Sequence, residues 1–246
     1  MIAFKSLQLD DYAVYGIAEA EACVQEHAAR KSGIAIDEHH MHRYWEWGIA
    51  RWWIKQTSLD KGQPVRVLDV GAGKTGFTAL CVGLPEVASW TEVEPSASHN
   101  VARNDQVYAA AGGTWKKARR FALDAKGALD LKEQFDVVCC LSVLEHIAVQ
   151  DAAAAWDALP KLVAPGGRVI VTTDVTSLFA PIAPRDGWRP FNGMWEFYAA
   201  MNEWPSAGLK LAGERDMRYH GELVEWDGHK YSFAVAVWEK SDVESL

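Results

Sequence analysis

The sequence predicts an α/β fold: a doubly wound, mostly parallel sheet with helices on both faces. Two observations carry that expectation. First, residues 65–78 read VRVLDVGAGKTGFT. An apolar run (Val65, Val67, Leu68, Val70) meets Gly71, Gly73 and Gly76, and a helical pattern opens at Phe77. Strand, glycine turn and helix in that order form the first unit of a nucleotide-binding sheet. Second, Phe135–Leu141 and Arg168–Thr173 are further short apolar runs of the kind that parallel strands buried on both faces require.

Three ligands compete for the glycine turn. GAGKT resembles the end of a P-loop, but that loop needs glycine where this chain has Leu68, and Asp69 would set a carboxylate among phosphates. Gly71, Gly73 and Gly76 match the dinucleotide pattern G-x-G-x-x-G, which is weak alone. S-adenosyl-L-methionine carries an ammonium and a sulfonium. An acid at the strand end suits those cations and repels a pyrophosphate, so Asp69 favours it.

Composition narrows the partners. The chain has 246 residues and a net charge of -8, which argues against broad nucleic-acid or anionic-membrane binding. Lys116, Lys117, Arg119 and Arg120 form a short basic run that reads as a solvated edge. Cys23, Cys81, Cys139 and Cys140 form no CxxC pair and fit reduced packing thiols in a cytoplasm. No signal-peptide pattern and no membrane-length apolar run is present. Nine of the twelve tryptophans fall within Trp45–Trp53 and Trp188–Trp238, and the set reads mainly as packing residues.

Along the chain, residues 10–30 and about 37–56 have helical spacing. The second helix carries a broad aromatic face (Tyr44, Trp45, Ile49, Trp52, Trp53) that either docks on a sheet or covers a ligand. His39, His40 and His42 lack partners at ligand spacing, so no metal site is expected. A second strand, 87–93, ends at Glu94, about 20 residues past the glycine loop, where an acid takes ribose hydroxyls. A third strand is expected around 115–121, followed by Asp124 and a short polar helix. After the strand 135–141 comes Ser142-Val143-Leu144-Glu145-His146, on the rim where parallel sheets bind ligands. A helix around Ala152–Leu159, a turn at Pro165-Gly166-Gly167 and a fifth strand at 168–173 follow. Residues 176–192 form a turn-rich loop, 193–204 a helix, and strands near 209–217 and 231–238 extend the sheet antiparallel.

Four segments, VLDVGAGKTG, TEVEPS, FDVVCCLSVLEHI and LVAPGGRVIVTTD, together resemble the class I S-adenosylmethionine-dependent methyltransferases in order and approximate spacing. The likeness covers residues 64–175. It implies a Rossmann-like sheet of seven strands with one antiparallel C-terminal strand and an N-terminal helical cap over the cofactor. It divides the chain into a cap, 1–60, and a methyltransferase domain, 61–246. It implies cofactor contacts from Asp69, Gly71, Ala72 and Gly73 at the methionine end, Glu94 and Pro95 at the ribose, and Asp124 and Ala125 at the adenine. Leu141 and Ser142 fall where the fourth strand opens onto the methyl group, and Arg43 on the cap faces the methionine carboxylate. Lys74-Thr75 departs from the family's usual loop ending by one residue, which leaves Gly76 without an assigned role.

The expected activity is methyl transfer from S-adenosyl-L-methionine to oxygen or nitrogen of a small molecule, with no membrane or nucleic-acid partner. His146 is the candidate base for a hydroxyl acceptor, because its free pKa lies nearest neutrality. Arg185, Trp188 and Arg189 in the turn-rich loop suit an anionic, planar acceptor. Two alternatives stand: a non-catalytic cofactor-binding subunit of the same fold, and an NAD-dependent oxidoreductase.

Overall fold

The computed structural model describes residues 2–6, 42–73, 77–95, 117–176, 191–192, 204, 208–215, 224–226 and 229–242. In chain order the elements are β1 (Ile2–Ser6), α1 (His42–Lys61), β2 (Val65–Val70), α2 (Phe77–Cys81), β3 (Val87–Val93), β4 (Ala118–Phe121), β5 (Phe135–Leu141), α3 (Val149–Leu162), β6 (Val163–Thr176), β7 (Phe191–Asn192), β8 (Leu209–Leu211), β9 (Glu214–Arg215), β10 (Val224–Trp226) and β11 (His229–Lys240). Two 3-10 turns, Gly127–Leu131 and Leu144–His146, flank β5.

β4, β3, β2, β5 and β6 lie side by side and parallel. β11 pairs antiparallel with β6, and β1 and β8 take the far edge of β11 at different heights. β1 and β8 thus share the seventh position across the sheet, which is Rossmann-like. β9 runs parallel to β1, β7 lengthens the edge of β6, and β10 closes a hairpin on β11. Among the described strands β11 alone runs against the rest. The chain builds outward from β2 to β4 on one side and from β5 to β6 on the other. The crevice above β2 and β5 is therefore the switch point at which such sheets take ligands.

Along most of the central strands, residues alternate between two apolar layers. Val65, Val67, Val137, Cys139, Ile170, Phe233, Val235 and Val237 face the layer that holds α1 and α2. Leu68, Val70, Val138, Cys140, Val169, Val171, Ala234, Ala236 and Trp238 face the layer that holds α3. The period of two, with both faces covered, explains why these strands read as continuous apolar runs. The aromatic face of α1 docks on the sheet: Tyr44, Trp45, Trp47, Ile49, Trp53 and Ile54 are all core residues. Other tryptophans pack as expected. Phe77 meets Trp90 edge to face at 5.4 Å. On the opposite face Trp156, Trp204 and Trp238 run at 4.7 and 5.8 Å.

Several expected boundaries move. The second helix extends to Lys61 and ends at Gly62, whose φ of +63° suits only glycine well. The expected boundary between residues 60 and 61 falls within its last turn. The third strand shrinks to four residues at the sheet's outer edge. Pro165-Gly166-Gly167 is a bulge inside β6 instead of a turn before it. Pairing with β5 jumps from Phe135↔Val163 to Val137↔Arg168, and a Cβ on Gly167 would sit 2.7 Å from the Asp136 carbonyl oxygen. The strand expected at 209–217 is the two short strands β8 and β9. β1 had no periodic signal in five residues. The helix expected at 10–30, and that at 193–204 apart from Trp204, lie outside the described residues. Among the described residues no helix is long and apolar enough to cross a membrane.

Trp90 on β3 is fully buried in the layer that holds α1 and α2. Trp90→Ala should therefore lower the unfolding free energy by about 3–5 kcal/mol, the range for a buried large aromatic. Chemical denaturation measures this; a loss below about 1 kcal/mol, typical of surface changes, would contradict the packing described.

Candidate active site

The C-terminal ends of the parallel strands enclose one cavity of about 400 Å³. β2 contributes Val70 and Gly71, and the end of β3 contributes Glu94 and Pro95. The segment after β4 contributes Asp124, Ala125 and Lys126, and the end of β5 contributes Ser142, Val143, His146 and Ile147. Asp151 and Ala155, one turn apart on α3, form the remaining wall.

The glycine turn is shaped by two needs. Gly71 has φ +68° and Gly73 has φ +52°, backbone states that L side chains resist. Gly71 also lacks room: a Cβ would lie 2.6 Å from Val143 Cγ2. The turn is tied outward. Gly71 N–H donates to the Val93 carbonyl at 2.8 Å, and Gly73 N–H donates to Glu94 Oε2 at 3.1 Å. Asp124 Oδ1 accepts the Gly127 N–H at 2.6 Å and so fixes the 3-10 turn beneath Ala125.

Behind the turn lies a buried acidic group. Asp69 pairs in register with Glu92 on β3, and both are nearly fully buried. Burial first, then the charges of Glu92 and Glu94, push the Asp69 pKa well up, against the pull of Arg120. Asp69 Oδ2 has no hydrogen-bond partner among the described residues. Thr78 Oγ1 donates to Glu92 Oε1. Arg120 lies 3.7 Å from Glu92 Oε2 and donates to the Gly73 carbonyl at 3.2 Å. The basic run expected to be a solvated edge is therefore partly internal. Arg120 faces Glu92 across the β3–β4 ladder, a placement that only register reveals.

At the ends of β5 and β6 a second polar group gathers. Ser142 holds φ +50°. Its N–H donates to the Thr172 carbonyl at 3.0 Å, and its hydroxyl to Glu46 Oε1 at 2.6 Å. Glu145 is buried, and its Oε1 accepts the Asp174 N–H at 3.1 Å, so it braces β6 and not the helix that follows. Burial raises the Glu145 pKa against the opposing pull of His146 and Arg43. A His146 nitrogen and one carboxylate oxygen each from Glu145 and Asp174 lie within 4.8 Å of one another. Burial, with the nearby carboxylates, also pushes the Cys139 and Cys140 thiols up, so they remain protonated packing groups.

The structure thus brings Gly71, Glu94, Pro95, Asp124, Ala125, Ser142 and His146 to one cavity. Asp69, Ala72, Gly73, Leu141 and Arg43 are not among its lining residues. Asp69, Ala72 and Gly73 form or support the turn, and Leu141 packs toward the α1 layer. Arg43 Nη1 donates to Glu46 Oε2 at 2.9 Å. Burial would lower its pKa, but Glu46, Asp174 and Glu145 outweigh that and raise it. Arg185, Trp188, Arg189, Gly76, His39 and His40 lie outside the described residues. Sequence reasoning missed Glu46, Thr172 and Arg120, which reach the site from distant segments, and the α3 wall, whose only signal is the Asp151/Ala155 spacing.

Comparison with known proteins agrees with this geometry. The family model described as a methyltransferase domain matches residues 38–218. A ubiquinone biosynthesis O-methyltransferase of Pseudomonas paraeruginosa is 35% identical over 141 residues, 50% of this chain and 57% of that protein. The chain therefore spans little more than half the length of this curated relative. Magnesium protoporphyrin IX methyltransferase from Synechocystis PCC 6803, solved with bound SAM, shares the fold with a TM-score of 0.54 and 15% identity. That likeness covers 96% of this chain and 100% of the other. The 1,6-didemethyltoxoflavin-N1-methyltransferase of Burkholderia thailandensis shares it at a TM-score of 0.51 and 18% identity, over 89% and 90% of the two chains. The glycine turn, the acid ending β3 and the shared cavity sit within the matched span, and the chain belongs to the methyltransferase domain family.

Proposed function

We propose that this protein transfers a methyl group from S-adenosylmethionine to an oxygen or nitrogen of a small molecule. The observation that carries the reading is the convergence of Gly71, Glu94, Ala125 and His146 on one cavity at the sheet's switch point. The buried acids behind the turn fit a cationic donor and not a pyrophosphate: the Asp69 oxygen without a partner offers an acceptor for an ammonium. That weighs against an NAD-dependent oxidoreductase. Intact acids at 69 and 94 weigh against a subunit that has lost cofactor binding. Relatives named for ubiquinone biosynthesis, magnesium protoporphyrin IX and 1,6-didemethyltoxoflavin methylation support a small-molecule acceptor.

The bound donor supplies a methyl carbon already activated by its sulfonium. The chain's task is to align the acceptor with that carbon and exclude water. Glu94 takes the ribose hydroxyls, Pro95 lines the wall beside it, and Asp124 and Ala125 border the adenine end. Ser142 and Leu141 set the rim at β5. His146 accepts the proton that a hydroxyl acceptor loses during attack, with one carboxylate oxygen each of Glu145 and Asp174 within 4.8 Å of a ring nitrogen. Arg43 serves the methionine carboxylate from α1, which packs on the sheet that β1 also joins. Arg185, Trp188 and Arg189 are assigned to an anionic, planar acceptor. Buried free thiols at Cys81, Cys139 and Cys140 suit a reducing cytoplasm.

Calorimetry with S-adenosylmethionine and with NAD tests the donor. Glu94→Ala should weaken S-adenosylmethionine binding by roughly 1–3 kcal/mol, the scale for hydrogen bonds to a charged group. Asp69→Asn should keep the fold, because burial already drives this carboxyl toward its neutral form, yet it should bind the donor more weakly. Tight NAD binding without any response to S-adenosylmethionine would overturn the reading.

His146→Ala should lower turnover by ~10²-fold or more with little change in donor affinity, and His146→Gln should not restore it, since an amide cannot take the proton. Activity that survives a chelator separates proton acceptance from a cation held by the same three side chains. A fully active His146→Ala protein from pH 6 to 9 would remove the base and leave alignment alone.

A further inference from the structure

Glu46 lies on α1 and is not among the residues that line the cavity, yet three polar groups from three segments converge on its carboxylate. Oε1 accepts the hydroxyls of Ser142, at 2.6 Å, and of Thr172. Oε2 accepts Arg43 Nη1 at 2.9 Å. The side chain is fully buried. A carboxylate hidden from water is stable only when its oxygens are satisfied in this way.

Ser142 is the link to the cavity. It is one of two non-glycine residues with positive φ among the described residues, at +50°. A side chain disfavours that state, which persists when the surroundings hold it. Here Thr172 takes the Ser142 N–H through its carbonyl at 3.0 Å and its hydroxyl at 3.1 Å, while Glu46 takes the Ser142 hydroxyl. The next residue, Val143, occupies the space that a Cβ on Gly71 would need. The contacts therefore run from Glu46 to Ser142, from Ser142 to Val143, and from Val143 to the glycine turn.

We propose that Glu46 is a positioning residue: it latches α1 to the left-handed backbone of Ser142 and thereby sets the cavity wall against Gly71, so that donor affinity depends on α1. The proposal rests on the donor-binding reading above. It assigns Glu46 no contact with donor or acceptor. It also explains why Arg43 is held by Glu46: the same carboxylate that shapes the wall orients the guanidinium beside it.

Calorimetry of S-adenosylhomocysteine binding to the full chain is the test. Glu46→Ala should weaken binding about tenfold, the equivalent of one charge-assisted hydrogen bond. In turnover assays the loss should fall on KM for the donor more than on kcat. Ser142→Gly placed in the Glu46→Ala background should recover most of the affinity, because glycine holds positive φ without a latch. The same double variant should not recover the thermal midpoint, which a merely structural role would tie to affinity. If Glu46→Ala fails to fold, Glu46→Gln, which keeps the volume, serves as the single change under the same rescue. Wild-type affinity in these variants, or a loss that Ser142→Gly does not reverse, overturns the latch while donor binding stands. No binding to the wild-type chain overturns both readings.

Discussion

The structure depends on one close approach. Gly71 ends β2 with its backbone against Val143 at the end of β5, and a single Cβ would lie 2.6 Å from a Val143 methyl carbon. β2 and β5 are neighbours in the sheet, so their ends must diverge or interlock. Gly71 lets them interlock, and the crevice at the switch point becomes a closed wall. The acid at the end of β3 then reaches sideways to Gly73, and the 3-10 turn held by Asp124 closes the other side. Apart from the α3 wall, the cavity is built from strand ends and the segments that follow them, because a parallel sheet delivers all its carboxyl ends to one edge.

Two buried acidic groups lie at that edge, and they are treated differently. Asp69 and Glu92 both feel the charge of Arg120, Thr78 donates to Glu92, and burial drives the Asp69 carboxyl toward neutrality. Such a site gains when a positive ligand arrives, since ionised and neutral forms respond oppositely to it. Glu46, Glu145 and Asp174 instead surround Arg43, which holds its own charge more strongly for their presence. The first group lies behind the glycine turn; the second braces α1, β5 and β6 around the rim where His146 stands.

α1 belongs to both parts of this arrangement. Its aromatic face fills the core layer over β2, β3 and β5, and its buried carboxylate reaches the ends of β5 and β6. Arg168 adds a second tie at the other end of the helix. It donates to Asp60 at 2.6 Å and to Glu239 at 2.9 Å while lying over the Trp53 ring. A helix anchored at both ends by polar contacts and along its length by tryptophans has one register on the sheet, which a purely apolar face would not specify.

The sequence by itself determined the doubly wound fold, the glycine turn and the acid ending β3. These are local signals: unbroken apolar runs, glycines at positive φ, and a fixed chain distance between one strand end and the next. It also placed His146 and Ser142 on the rim, since they follow a buried strand directly. Tertiary structure alone decided the roles of Glu46, Thr172 and Arg120. Their partners lie far away in sequence: 96 and 126 residues separate Glu46 from Ser142 and Thr172. The pairing of Arg120 with Glu92 needs the β3–β4 register, and the bulge at Pro165-Gly166-Gly167 needs the neighbouring β5 backbone. A one-dimensional pattern records which face a residue presents. Which residue it meets across that face is set by strand order and helix docking, and these are fixed by the packing of the whole core.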